Sequence, residues 1–182
     1  MPTFVVVLDT DVLYPAVLRD TLLLAAEDGL LQPRWTDQIL EELRRNLIKN
    51  RAMSEQQAKH LLRAMSTAFP DADVPGYQQL IVAMTNDPKD RHVAAAAVAG
   101  HAQVIVTRNL SDFPSSALEP FGIDVQSPDV FLWNLFRLFP TQLVWAIERQ
   151  VAQRRRPPKE IEQVLDILAK SAPRFVQLVR QR

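Results

Sequence analysis

The chain has 182 residues, 47% of them hydrophobic and 23% charged, a balance that suits one soluble domain with a buried core, with or without an appendage. It has no cysteine, which excludes disulfide scaffolds, thiolate metal sites and thiol nucleophiles; its four glycines are too dispersed for a phosphate-cradling or dinucleotide loop, and its three histidines form no HExxH pair. The 21 basic and 21 acidic side chains cancel unevenly: residues 1–127 carry 11 basic and 16 acidic, a net of −5, and residues 128–182 carry 10 and 5, a net of +5.

Phe4 to Leu8 is a continuous β-branched run that predicts a strand buried on both faces, as in parallel sheets. The apolar spacing from Val12 to Glu27 predicts a helix closed by Gly29. Leu30 to Pro33 reads as a short strand. Thr36 or Asp37 caps a helix to Lys49, and Ser54 with Gln57 forms a capping box for another that ends near Pro70. Residues 71–86 fit either a strand or a helix after the turn at Pro75 and Gly76. Asp87 and Pro88 read as N-cap and N1 of a small-residue helix ended by Gly100, with Asp90 at N3. Gln103 to Thr107 and Ile123 to Val125 are further strands. This alternation predicts an α/β fold with a central parallel sheet. After Ser127 the pattern changes to helices broken by Pro140, Pro157 and Pro173, so the chain divides into residues 1–127 and a helical C-terminal extension, 128–182, packed on the core or reaching away from it. The start lacks a basic leader, and no apolar stretch nears the roughly 18 residues of a membrane span, so a cytoplasmic protein with no membrane partner is expected.

Asp9, Glu42, Asp90 and Asp112 fall just past strand ends or on the helices that follow, where open α/β sheets bind ligands. Carboxylates clustered without Cys or His favour hard cations such as Mg²⁺ or Mn²⁺, which activate water and offset charge on a phosphodiester. Asp11 and Asp87 also suit ordinary helix-starting roles, and Glu41 competes with Glu42 for the site position.

Residues 7–13, running through Asp9, resemble the opening motif of PIN-domain ribonucleases. Asp90 to Ala97 resembles their Asp-x-x-aliphatic-Ala-Ala helix, Thr107 to Phe113 their closing Thr-x-Asn-x-x-Asp-Phe motif, and Thr36 to Leu43 their middle motif. The similarity is greatest to VapC-type toxins of bacterial toxin–antitoxin systems, in a longer subgroup with a C-terminal extension. It implies a PIN-like three-layer sandwich and a metal-dependent endoribonuclease, with Asp9, Glu42, Asp90 and Asp112 holding Mg²⁺ or Mn²⁺ and with Thr10 and Asn109 as polar support. It also implies an RNA substrate, a cognate antitoxin and a possible homodimer.

An RNA substrate calls for cations beside the acidic site; Arg91, Arg108, Arg45 and the run Arg154, Arg155 and Arg156 are the candidates. Trp133, Phe136, Phe139 and Trp145 recur at helical spacing and read as core. Two other classes compete. Asp9 and Asp11 also resemble the Asp-x-Asp start of haloacid-dehalogenase-like phosphatases, although no late acidic pair follows. A non-catalytic RNA- or protein-binding module on the same fold is the other alternative.

Overall fold

A computed structural model describes residues 3–153 and 160–181. Four parallel strands form the sheet: β1 (Phe4–Leu8), β2 (Leu31–Arg34), β3 (Val104–Val106) and β4 (Asp124–Gln126), in the spatial order β2-β1-β3-β4. β1 is central, which is why its run is continuously apolar; Val6 faces Pro33 of β2 on one side and Val104 of β3 on the other. Pro33 has no N–H to give a second neighbour, consistent with β2 at the sheet edge.

The α-helices are α1 (Thr10–Leu13), α2 (Ala16–Glu27), α3 (Asp37–Lys49), α4 (Glu55–Ala68), α5 (Arg91–Ala99), α6 (Ser115–Leu118), α7 (Pro128–Leu138), α8 (Pro140–Gln153), α9 (Ile161–Leu168) and α10 (Pro173–Arg180). The single helix expected over residues 12–27 is two: Pro15 adopts an extended backbone and starts α2 afresh. Thr36 caps α3 and the Ser54–Gln57 box caps α4, as the sequence predicts. The ambiguous stretch resolves as a 3₁₀ helix, Tyr77–Ala83, packed on α5. Ala94 to Ala97 are fully buried, so α5 lies close on β1 and β3. Gly100 ends α5 tightly against Val74: a Cβ there would sit 3.0 Å from both the Ala96 carbonyl and Val74 Cγ2.

The chain moves from β1 to β2 on one side and to β3 and β4 on the other. Right-handed crossovers therefore place α2 and α5 on opposite faces of the sheet, giving three layers. The reversal opens a crevice between the carboxyl ends of β1 and β3.

The described part of the extension packs on the core. α8 lies along α2, and α10 lies along α7, where Phe136 and Phe175 meet edge to face at 5.7 Å. Gln150 is buried between α8 and α2; its Oε1 accepts the Thr21 hydroxyl at 2.8 Å and its Nε2 donates to the Val17 carbonyl at 2.9 Å. Arg149 reaches Asp28 at 3.2 Å and Glu27 at 3.5 Å, so part of the positive excess of the tail is spent against the acidic core. Phe136 is core as expected, and Trp133 is partly buried under the guanidinium groups of Arg137 and Arg174. Trp145 is not core: it is 60% exposed, on the outer side of α8. No single helix among the described residues is long and apolar enough to cross a membrane.

Candidate active site

β1 stops because Asp9 turns the chain into α1. Its backbone N–H still bonds the Val106 carbonyl at 3.1 Å, holding it in the sheet, while its side chain caps the helix. Asp9 Oδ1 accepts the Thr10 N–H and Oδ2 accepts the Thr107 hydroxyl, each at 2.7 Å. The Thr107 hydroxyl also accepts the Asn109 N–H at 3.1 Å, and Asp11 Oδ2 accepts the Arg108 N–H at 2.9 Å. The loops leaving β1 and β3 are thereby stitched together at the crevice.

The choice between the two glutamates follows from helix geometry, since adjacent residues on α3 point about 100° apart. Glu41 faces out, paired with Arg44 at 2.8 Å. Glu42 faces the crevice: Oε2 accepts the Thr10 hydroxyl at 3.3 Å, and Oε1 lies 3.4 Å from Gln38 Nε2 and 3.3 Å from His92 Nε2.

Asp90 is not at N3 of a helix. Pro88–Asp90 is a 3₁₀ turn and α5 starts at Arg91, so Asp90 occupies the N-cap position, yet its side chain makes no capping bond. Asp87 takes the bland role, accepting the Lys89 N–H at 3.1 Å. Asp112 closes another 3₁₀ turn, Leu110–Asp112, beside Asp90, with its Oδ2 3.4 Å from Lys89 Nζ. The crevice, about 300 Å³, is lined by Asp9, Thr10, Asp11, Tyr14, Glu42, Asn46, Asp90, Arg108 and Asn109; Asp112 lies outside this lining. A larger groove of about 490 Å³ between Phe4, Val104 and α7 holds no carboxylate.

Burial, together with the charge of Asp11, pushes Asp9 up to about 6 against the pull of its hydrogen bonds. Asp90 is likewise pushed up to about 6 by burial, by Asp9 and by the hydrogen bond it shares with Asp112. Burial raises Asp11. Glu42 goes the other way: burial opposes its ionisation, but His92, Gln38 and Thr10 together outweigh it and lower its pKa.

The residues fit a divalent cation in chemistry and charge. The donors are hard oxygens, their mutual repulsion asks for a counter-charge, and Asp11 Oδ1 and Asp90 Oδ2 are buried with no hydrogen-bond partner among the described residues. They do not form a finished cage: among the described residues no three acidic or imidazole groups are arranged to hold a metal ion as they stand. Both oxygens of Asp9 are already engaged.

The expected cations divide. Arg108 lines the crevice. Arg91 is half-buried and donates through Nε to the Asn86 carbonyl at 3.2 Å, bracing the loop before Asp90. Arg45 is outside the crevice lining, on the Glu41 side of α3 at 4.0 Å from that residue, because i and i+4 share a helix face. Arg154, Arg155 and Arg156 lie outside the described residues. Sequence reading missed Lys89, His92, Asn46 and Tyr14. Asn46 follows Glu42 by four residues and Tyr14 follows Thr10 by four, a helical spacing that carries that signal. Nothing local marks His92.

A three-layer α/β domain with carboxylates gathered at its topological switch point defines the class, a carboxylate-centred site suited to hard cations and phosphate chemistry. The family model for the PIN domain matches residues 5–111, and the chain belongs to that family. A second model, the VapC50 C-terminal domain, matches residues 128–181. The chain is similar to the "Putative ribonuclease VapC50" of Mycobacterium tuberculosis (strain ATCC 25618 / H37Rv), with 42% identity over 106 residues, covering 58% of this chain and 63% of that protein. No solved structure matches it. PIN membership sets aside the haloacid-dehalogenase-like reading.

Proposed function

We propose that the protein is a Mg²⁺- or Mn²⁺-dependent endoribonuclease that hydrolyses RNA phosphodiester bonds, acting in the cytoplasm as a toxin held in check by a cognate antitoxin. The observation that carries this reading is the crevice itself: Asp9 and Asp90, both driven up to about 6, with Asp11 Oδ1 and Asp90 Oδ2 buried and without a hydrogen-bond partner among the described residues, at the switch point of a PIN-family sheet. The name of the mycobacterial relative supports the same reaction.

Asp9, Asp90 and Glu42 would hold the ion, with Asp112 alongside; when bound, it supplies a Lewis acid that makes water nucleophilic near neutral pH and offsets charge at phosphorus. The chain's own part is orientation. Thr107 and the Thr10 N–H fix the Asp9 carboxylate, and Thr10, Gln38 and His92 surround that of Glu42. Arg108 offers a guanidinium at the rim for a phosphate flanking the cut. A purely binding surface for RNA gains nothing from several clustered carboxylates, which repel the polyanion.

The test is incubation of the full chain with total RNA in Mg²⁺ or Mn²⁺ against EDTA, beside Asp90→Asn. Internal cleavage that needs the ion and Asp90 is expected; full cleavage by Asp90→Asn overturns the reading.

A further inference from the structure

We infer that His92 is a positioning residue: its Nε2–H holds the Glu42 carboxylate at a fixed distance from Asp90, so that one helix sets two sides of the cation site. The inference rests on the metal-dependent reading above.

His92 is 4% exposed, in the first turn of α5 and two residues past Asp90. The helix around it is apolar, with Val93 and Ala94 to Ala97 all fully buried. An imidazole in such surroundings is unfavourable unless a polar partner compensates it. Its Nδ1 has no hydrogen-bond partner among the described residues. Its Nε2 has a polar neighbour that is distant in sequence, Glu42 Oε1 at 3.3 Å, on α3.

The other contacts hold Glu42 weakly. The Thr10 hydroxyl has one proton and two acceptors at 3.3 Å, Glu42 Oε2 and the Ile39 carbonyl. Gln38 is an exposed side chain of the same helix, 3.4 Å away, so its bond to Glu42 does not itself tie the carboxylate to another element. His92 is buried, in the first turn of the helix that Asp90 begins as its N-cap. It meets Oε1, while Oε2 is the oxygen that faces the Thr10 hydroxyl, so the imidazole orients the carboxylate from one side. Groups that orient ligating carboxylates typically change metal affinity by about 10- to 100-fold when removed.

A core-filling role predicts something different. Leucine at 92 fills the space without a donor; glutamine supplies an N–H at a reach close to that of Nε2. Mn²⁺ binding by the full-length wild type, His92→Gln and His92→Leu is to be measured by titration calorimetry at pH 7.5, with RNA cleavage followed in parallel. The expected result is wild-type-like binding by His92→Gln and binding weaker by about 10-fold or more for His92→Leu. Equal affinities for His92→Leu and wild type, equal losses in both variants, or no Mn²⁺ binding by the wild type overturn the inference.

Should His92→Leu fail to fold, the imidazole N–H decides. In the wild type the Hε2 proton is expected downfield and slow to exchange, and in Glu42→Leu it is expected to shift upfield or vanish; an unchanged Hε2 overturns the inference. Wild-type protein that binds Mn²⁺ with the His92 dependence but leaves RNA intact removes the ribonuclease reading alone. Cleavage that persists while His92→Leu binds Mn²⁺ normally removes the positioning role alone.

Discussion

Asp9→Asn is expected to stabilise the metal-free protein while abolishing its response to metal. Asp9 is 5% exposed, and its pKa stands at about 6 instead of 3.8. At 1.36 kcal/mol per decade, carrying its charge at neutral pH costs roughly 3 kcal/mol relative to the unfolded chain. Asparagine removes that penalty and keeps the oxygen that accepts the Thr10 N–H, but it turns an amide towards the Thr107 hydroxyl, a loss of about 1 kcal/mol. The net gain is about 1–2 kcal/mol, or roughly 2–8 °C in Tm for a chain of this size. Because the folded-state pKa is raised, the stability that Asp9 contributes is complete below 3.8 and is lost as pH rises through about 6. The advantage of Asp9→Asn therefore grows between pH 4 and pH 7. Thermal unfolding followed by circular dichroism in EDTA at pH 5.0 and 7.5, repeated with Mn²⁺, reads both effects. In wild type, ion at 100 times its Kd adds about 2.7 kcal/mol, and in Asp9→Asn it adds little. An Asp9→Asn protein less stable than wild type at pH 7.5 in EDTA, or a difference that does not change with pH, refutes the electrostatic account of the crevice.

Thr107→Val removes the hydroxyl shared by Asp9 Oδ2 and the Asn109 N–H; urea unfolding is expected to show a loss of about 1–3 kcal/mol, with RNA cleavage falling alongside. Gln150→Ala deletes both bonds of the buried amide between α8 and α2; a loss of about 2–3 kcal/mol in the same assay is expected, and an unchanged midpoint contradicts the view that the extension is clasped to the core there.

The sheet and the acidic positions were legible because their signals are local. A β-branched run ending in Asp9, a Thr-x-Asn-x-x-Asp loop and an alanine-rich helix each carry their meaning within a few residues. What escaped was set by tertiary contact or by backbone without a period. The break at Pro15 lies inside a valid helical pattern, and the Tyr77–Ala83 turn has neither a 3.6 nor a 2 residue repeat long enough to read. Asp90 lies three helix positions from the one expected, at N-cap instead of N3, because Pro88 starts a 3₁₀ turn before the α-helix proper. His92 meets Glu42 across two elements fifty residues apart in sequence, and Lys89 reaches Asp112 across another pair of loops; neither pairing leaves a local trace. Arg45 and Trp145 show the converse, residues whose type suggested a role that the helix face they occupy does not allow.

The same geometry reinterprets the divided charge. The negative excess of residues 1–127 includes the crevice carboxylates, and Arg149 of the extension is turned onto Glu27 and Asp28 of the core rather than outward.

The most direct test of the account is end-mapping of RNA incubated with the full-length protein in Mn²⁺, in EDTA, and with Asp90→Asn in Mn²⁺. The account predicts new internal ends with the wild type in Mn²⁺ and none in the other two reactions. RNA left intact by folded, Mn²⁺-saturated wild type, or cut equally by Asp90→Asn, contradicts it.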